Sequence, residues 1–123
     1  MTPKKVFIVD DADFMVDMLR MIVQQAGHQV VGTAFNGADA LKSIESLGEK
    51  LAPDVATVDF HMPKMDGLET GRRIRLLVPG VKIILISSHA TRPVAMMAKD
   101  VEVDAFIVKP FEPQMVLDAI NNL

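Results

Sequence analysis

Asp10, Asp11, Asp59, Ser87 and Lys109 are the residues of this chain best suited to phosphoryl and metal chemistry, and each closes a short apolar run. VFIV leads into Asp10-Asp11, VATV into Asp59, IILI into Ser87 and FIV into Lys109. The carboxylates offer hard oxygen ligands for a cation such as Mg²⁺, which keeps waters that a phosphate can replace. The lysine brings a positive charge and the serine a hydroxyl donor, both suited to phosphoryl oxygens. Asp59 stands alone at the end of its run, whereas Asp10 and Asp11 form a pair suited to holding metal. A carboxylate that attacks a phosphoryl donor forms an aspartyl phosphate. Metal and lysine would neutralise charge on the equatorial oxygens and keep the attacking and leaving groups in line.

These residues meet only if the runs that carry them are neighbouring strands. Short, β-branched, almost wholly apolar runs read as strands covered on both faces of a sheet. The spacing predicts strands over Lys5–Val9, Val30–Ala34, Val55–Val58, Lys82–Ile86 and Ala105–Val108. Between them lie helical patterns. Met15, Met18, Leu19, Ile22, Val23 and Ala26 step by three and four, with Asp13 as N-cap and Gly27 as stop. Leu41, Ile44 and Leu47 follow the Asn36-Gly37 turn. Residues 61–67 hold Pro and Gly at turn positions and read as a loop. Leu68, Gly71, Ile74 and Leu77 form the next apolar face, ended by Pro79-Gly80. A short helix has Pro93 near its start and Val94, Met97, Ala98 and Val101 on one face. The last helix starts near Pro113 and buries Val116, Leu117 and Ile120. Five βα units make a doubly wound parallel sheet with right-handed crossovers. The strands that supply the site are expected to be central neighbours, and the second strand, which ends on nothing chemically useful, is assigned to an edge. That favours the order 2-1-3-4-5, with ligands at the switch point beyond the carboxyl ends of strands one and three.

Bulk properties agree. The 123 residues fit one domain, 1–123, with no linker or composition break. The net charge of -3 argues against nucleic-acid binding through charge. With no cysteine, disulfides and thiolate metal sites are excluded. The first apolar stretch is too short for a signal peptide, and no run approaches a membrane span, so a cytoplasmic location is expected. Most of the 9 methionines read as core filling, while Phe14 and Met21 lie off the main apolar face and are candidates for partner contact.

The same residues resemble the receiver domain of two-component response regulators. The likeness rests on Asp10-Asp11, on Asp59 with Met62-Pro63 and Met65-Asp66-Gly67 behind it, on Ser87, and on Lys109-Pro110-Phe111. It covers essentially the whole chain. The resemblance implies a flavodoxin-like (βα)5 fold in which Asp59 accepts phosphate from a histidine kinase. It implies Mg²⁺ bound by Asp11, Asp59 and the backbone carbonyl of His61, with Asp10 nearby, and a cis Lys109-Pro110 bond. It implies that Ser87 swings toward the phosphoryl group and Phe106 turns inward. The face of the fourth helix, fifth strand and fifth helix, including Met96, Lys99 and Phe106, would then read out the change to a downstream protein.

Asp10-Asp11-Ala12-Asp13-Phe14-Met15 is similar to the start of chemotaxis receivers. Val30-Val31-Gly32-Thr33-Ala34, Met65 to Glu69 and Ser87-Ser88 are similar to chemotaxis methylesterase receivers. The expectation is a stand-alone chemotaxis-type regulator that catalyses only its own phosphorylation and dephosphorylation. The alternatives are a receiver cut from a larger methylesterase or DNA-binding regulator, and an aspartate-nucleophile phosphatase. The phosphatase reading meets His61 where its second aspartate should stand. His61 and His89 either flank the phosphoryl group and tune its hydrolysis or are exposed loop histidines. His28 lies at the far end of strand two, which argues against a zinc site.

Overall fold

The computed structural model describes residues 2–88, 99 and 103–123. The chain alternates β1 (Lys5–Val9), α1 (Asp13–Gln25), β2 (Gln29–Ala34), α2 (Gly37–Leu47), β3 (Val55–Asp59), α3 (Gly67–Leu77), β4 (Lys82–Ser87), β5 (Ala105–Val108) and a C-terminal helix (Pro113–Asn121). Of the helix expected around Pro93–Val101 only Lys99 is described, and His89 and Met96 lie outside the described residues. Every strand pairs in parallel, in the order β2-β1-β3-β4-β5. This is the flavodoxin-like arrangement, with β2 at an edge as expected.

The period-two alternation of each strand feeds two cores. Val6, Ile8, Val55, Ile84 and Ile86 face α1 and the C-terminal helix, where Val16, Leu19, Val23, Val116 and Ile120 meet them. Phe7, Val9, Ala56, Val58 and Ile83 face the other way, toward Ala40, Ile44 and Ile74 of α2 and α3. Burial on both sides explains why the central strands read as continuous apolar runs.

Several local expectations are corrected. Ala12, not Asp13, is the N-cap of α1, and its side chain makes no cap bond. Asp13 is instead a helical residue in the first turn, where its charge suits the helix dipole. Strands β3 and β4 each run one residue further than expected, through Asp59 and Ser87. Met18 and Leu77 are 40% and 42% exposed, so neither is core. Met18 joins Phe14 and Met21 in an exposed stripe on α1. The site strands are not all central, since β5 is the second edge of the sheet.

A polar clamp closes the end of the sheet opposite the carboxyl ends of the strands. His28 is buried; its Nδ1 accepts the Lys4 N–H at 3.0 Å and its Nε2 lies 3.1 Å from Asn121 Oδ1. A backbone donor on Nδ1 leaves the proton on Nε2, which fixes the neutral tautomer. Lys4 Nζ donates to the Ile120 carbonyl at 2.6 Å and to that of Leu123. Among the described residues, no helix is long and apolar enough to cross a membrane.

Candidate functional site

Each site residue sits at a strand end whose backbone is held by the adjacent strand. The Asp10 N–H donates to Ala34 O at 3.1 Å, Phe60 N–H to Ile86 O at 2.8 Å, and Lys109 N–H to Ser87 O at 2.8 Å. The sheet register thus delivers Asp10, Asp59, Ser87 and Lys109 to one edge. Lys109 leaves β5 into a cis bond to Pro110.

Asp10 is 1% exposed and engaged at both oxygens. Its Oδ1 accepts the Ala12 N–H at 3.0 Å, and its Oδ2 accepts from Lys109 Nζ at 3.1 Å. The same ammonium donates to Asp59 Oδ1 at 3.2 Å. Asp11 is exposed. One carboxylate oxygen from each of Asp10, Asp11 and Asp59 lies within 4.8 Å of the others.

That crowding has an electrostatic cost. Burial and the charge of Asp10 push the Asp59 carboxyl up from 3.8 to about 6, with Lys109 only partly opposing them. Burial alone would lower the Lys109 ammonium, but its hydrogen bond to Asp10 and the charges of Asp10 and Asp59 outweigh it and raise its pKa. One ammonium therefore does not neutralise the cluster. The donor set fits a hard divalent cation, for which carboxylate oxygens are the preferred ligands.

The other expected residues fall around this centre. Ser87 is buried at the end of β4, in register with Val108. Phe106 is half-buried on β5 and packs against Leu68 and Leu85. His61 is exposed, its ring tilted against Phe60 at 4.7 Å between centroids. Lys99 is exposed, while His89 and Met96 lie outside the described residues.

At one position of the motif, Gly67, the structure adds a packing role to the sequence reading. Gly67 reads there as a turn residue, but its role is close approach. A Cβ at Gly67 would lie 2.3 Å from the Asp59 carbonyl oxygen and 2.7 Å from Phe60 Cα. Asp66 caps α3 by accepting the Glu69 N–H at 2.9 Å, and the Gly67 N–H returns to Phe60 O at 2.9 Å. The Asp-Gly pair was the available signal: a helix cap followed by a residue with no side chain.

Comparisons with known proteins agree with this geometry. The family model described as the response regulator receiver domain matches residues 6–121. The chain is 38% identical over 120 residues to the chemotaxis protein CheY of Thermotoga maritima, covering 98% of this chain and 97% of that one. It is 38% identical over 109 residues to protein-glutamate methylesterase/protein-glutamine glutaminase 3 of Hahella chejuensis, covering 89% of this chain but 30% of that protein. Among solved structures, it superposes on the CheX-CheY-BeF3-Mg complex of Borrelia burgdorferi with a TM-score of 0.87 at 29% identity, covering 98% of this chain and 88% of that one. The motifs, the strand order, the acidic cluster and these likenesses converge: the chain belongs to the response regulator receiver domain family.

Proposed function

We propose that this receiver takes a phosphoryl group from a histidine kinase onto Asp59 and relays the change to a partner protein. The observation that carries the reading is the Asp59 carboxylate, held at the rim of an acidic cluster with Lys109 against it. An Asp59 oxygen attacks phosphorus, the bond from phosphorus to the donor's imidazole nitrogen breaks, and that nitrogen keeps the electron pair. Lys109 offsets charge on the transferred group. Asp11 and Asp59, with the His61 carbonyl, would hold Mg²⁺ directly, and the bound ion would supply Lewis-acid neutralisation of the phosphoryl oxygens. Asp10 acts at one remove, because Ala12 and Lys109 already engage both of its oxygens.

Ser87 and Phe106 form the switch in this reading. Ser87 follows the new phosphoryl oxygens, and Phe106 shifts the balance between two conformers of the face formed by β5 and the C-terminal helix. The exposed stripe of Phe14, Met18 and Met21 begins three residues after Asp11 and suits docking of the phosphodonor beside the site. Likeness along nearly the full length of the Thermotoga chemotaxis protein favours a cytoplasmic chemotaxis-type regulator. The methylesterase likeness supports a second reading, in which the same receiver controls an attached domain.

Incubation with acetyl phosphate and Mg²⁺, followed by intact-mass measurement, tests the chemistry. The expected result is one phosphoryl group on the wild type and none on Asp59→Asn. An unmodified wild type, or equal modification of the variant, overturns the proposal.

A further inference from the structure

An apolar groove lies at the opposite end of the molecule, where the carboxyl ends of α2 and α3 lead into β3 and β4. It is open, of about 450 Å³, and walled by Ile44, Ala52, Leu77 and Val78, with Glu45 and Glu49 on its rim. Leu51, Leu76 and Leu77 at this end are 41%, 73% and 42% exposed, which leaves apolar surface around the groove open to water.

Its charge is arranged against local stability. The last turn of α2 contains Glu45 and no basic residue, and Glu49 follows directly after the Gly48 cap. Both carboxylates sit at the negative pole of the helix dipole, where cations are favoured and anions are not. Neither is in an ion pair among the described residues, although Lys42 lies only three residues before Glu45. Helix carbonyls and two carboxylates without an ion pair therefore border an apolar cleft.

We propose that this groove docks an amphipathic helix of a partner protein, one that presents arginine or lysine beside apolar residues. An aliphatic stem lies on Ile44 and Val78 while its cationic head reaches Glu45 and Glu49, a division that long basic side chains favour. Arginine suits the pair best, because its planar fork binds carboxylates bidentately. Neighbouring leucines on the partner helix cover Leu76 and Leu77. The rim charge disfavours the main alternative, an anionic lipid surface. The groove lies at the far end of the strands from Asp59, so a partner held here leaves the phosphorylation site accessible.

The test uses the full ¹⁵N-labelled chain and a synthetic leucine-arginine amphipathic peptide of about five helical turns. Shift changes are expected at residues 44–52 and 77–79. Replacing both rim residues, Glu45→Gln with Glu49→Gln, should raise the Kd roughly tenfold, while Glu112→Gln should leave it unchanged. Shifts centred elsewhere, or equal affinity for the double variant, overturn the proposal. So does equal perturbation of the same residues by phosphatidylglycerol vesicles. Both substitutions are isosteric and exposed, and the unperturbed spectrum reports that the variant is folded.

Discussion

The Cβ that Gly67 lacks would stand 2.3 Å from the carbonyl oxygen of Asp59. The start of α3 thus rests directly on the backbone of the proposed phosphoacceptor. The clash would be with main-chain atoms, which cannot rotate away. Gly67→Ala should therefore cost about 1–3 kcal/mol as an overpacked site. Urea unfolding should show a lower midpoint, and phosphorylation should slow because the Asp59 loop is displaced. An unchanged midpoint would mean that the helix start shifts freely.

Asp59 is expected to oppose folding at neutral pH. Its carboxyl is raised from 3.8 to about 6, so between those values the folded state holds the proton more firmly than the unfolded chain. Stability should then fall as pH rises through this window, and the full penalty should be present above it. Asp59→Asn should stabilise the protein by about 1–3 kcal/mol near pH 7.5, with the gain fading toward pH 4. Paired denaturation curves at both pH values check this; a gain that does not depend on pH would contradict the electrostatic account.

Divalent metal should relieve the same strain. Mg²⁺ at about 100 times its Kd should add about 2.7 kcal/mol of stability. Asp11→Asn should remove most of that increment, since the exposed Asp11 carboxylate is the one most open to a cation. Calorimetry should also detect proton release on binding near pH 6, where Asp59 is part-protonated, and almost none near pH 8. Equal proton release at both values would place the metal away from Asp59.

The His28 clamp is structural and should separate cleanly from the site. His28→Ala leaves the Lys4 N–H and the Asn121 side chain without their partner. Asn121 is exposed and can turn to water, but the part-buried Lys4 N–H loses its acceptor at a cost of about 1 kcal/mol, so the melting temperature should drop while Mg²⁺ affinity stays constant. A weakened metal affinity would show that the two ends of the sheet are coupled.

Much of the fold was legible because the central strands are buried on both faces, and Val6–Val9 and Ile83–Ile86 accordingly show no polar interruption. The order 2-1-3-4-5 followed from where chemistry ended a run and where it did not. The expectation that site strands are central was too strict, because Lys109 needs only one neighbour, and Ser87 O provides its backbone anchor. Met18 was misassigned because helical spacing identifies a stripe but not its width, and Met18 falls at the exposed margin. Gly67 was hidden for a different reason. A contact between a missing side chain and a backbone oxygen leaves no trace in residue type beyond the glycine itself.

The bond between Lys109 and Asp10 joins groups 99 residues apart in sequence, and Asp59 lies 50 residues from the same ammonium. No fragment that stops before β5 contains all of the charged machinery. A chain still emerging from the ribosome, or one whose last strand has come loose, has carboxylates with no lysine to oppose them. The charge balance of the cluster is therefore a property of the closed sheet and of no shorter segment of it.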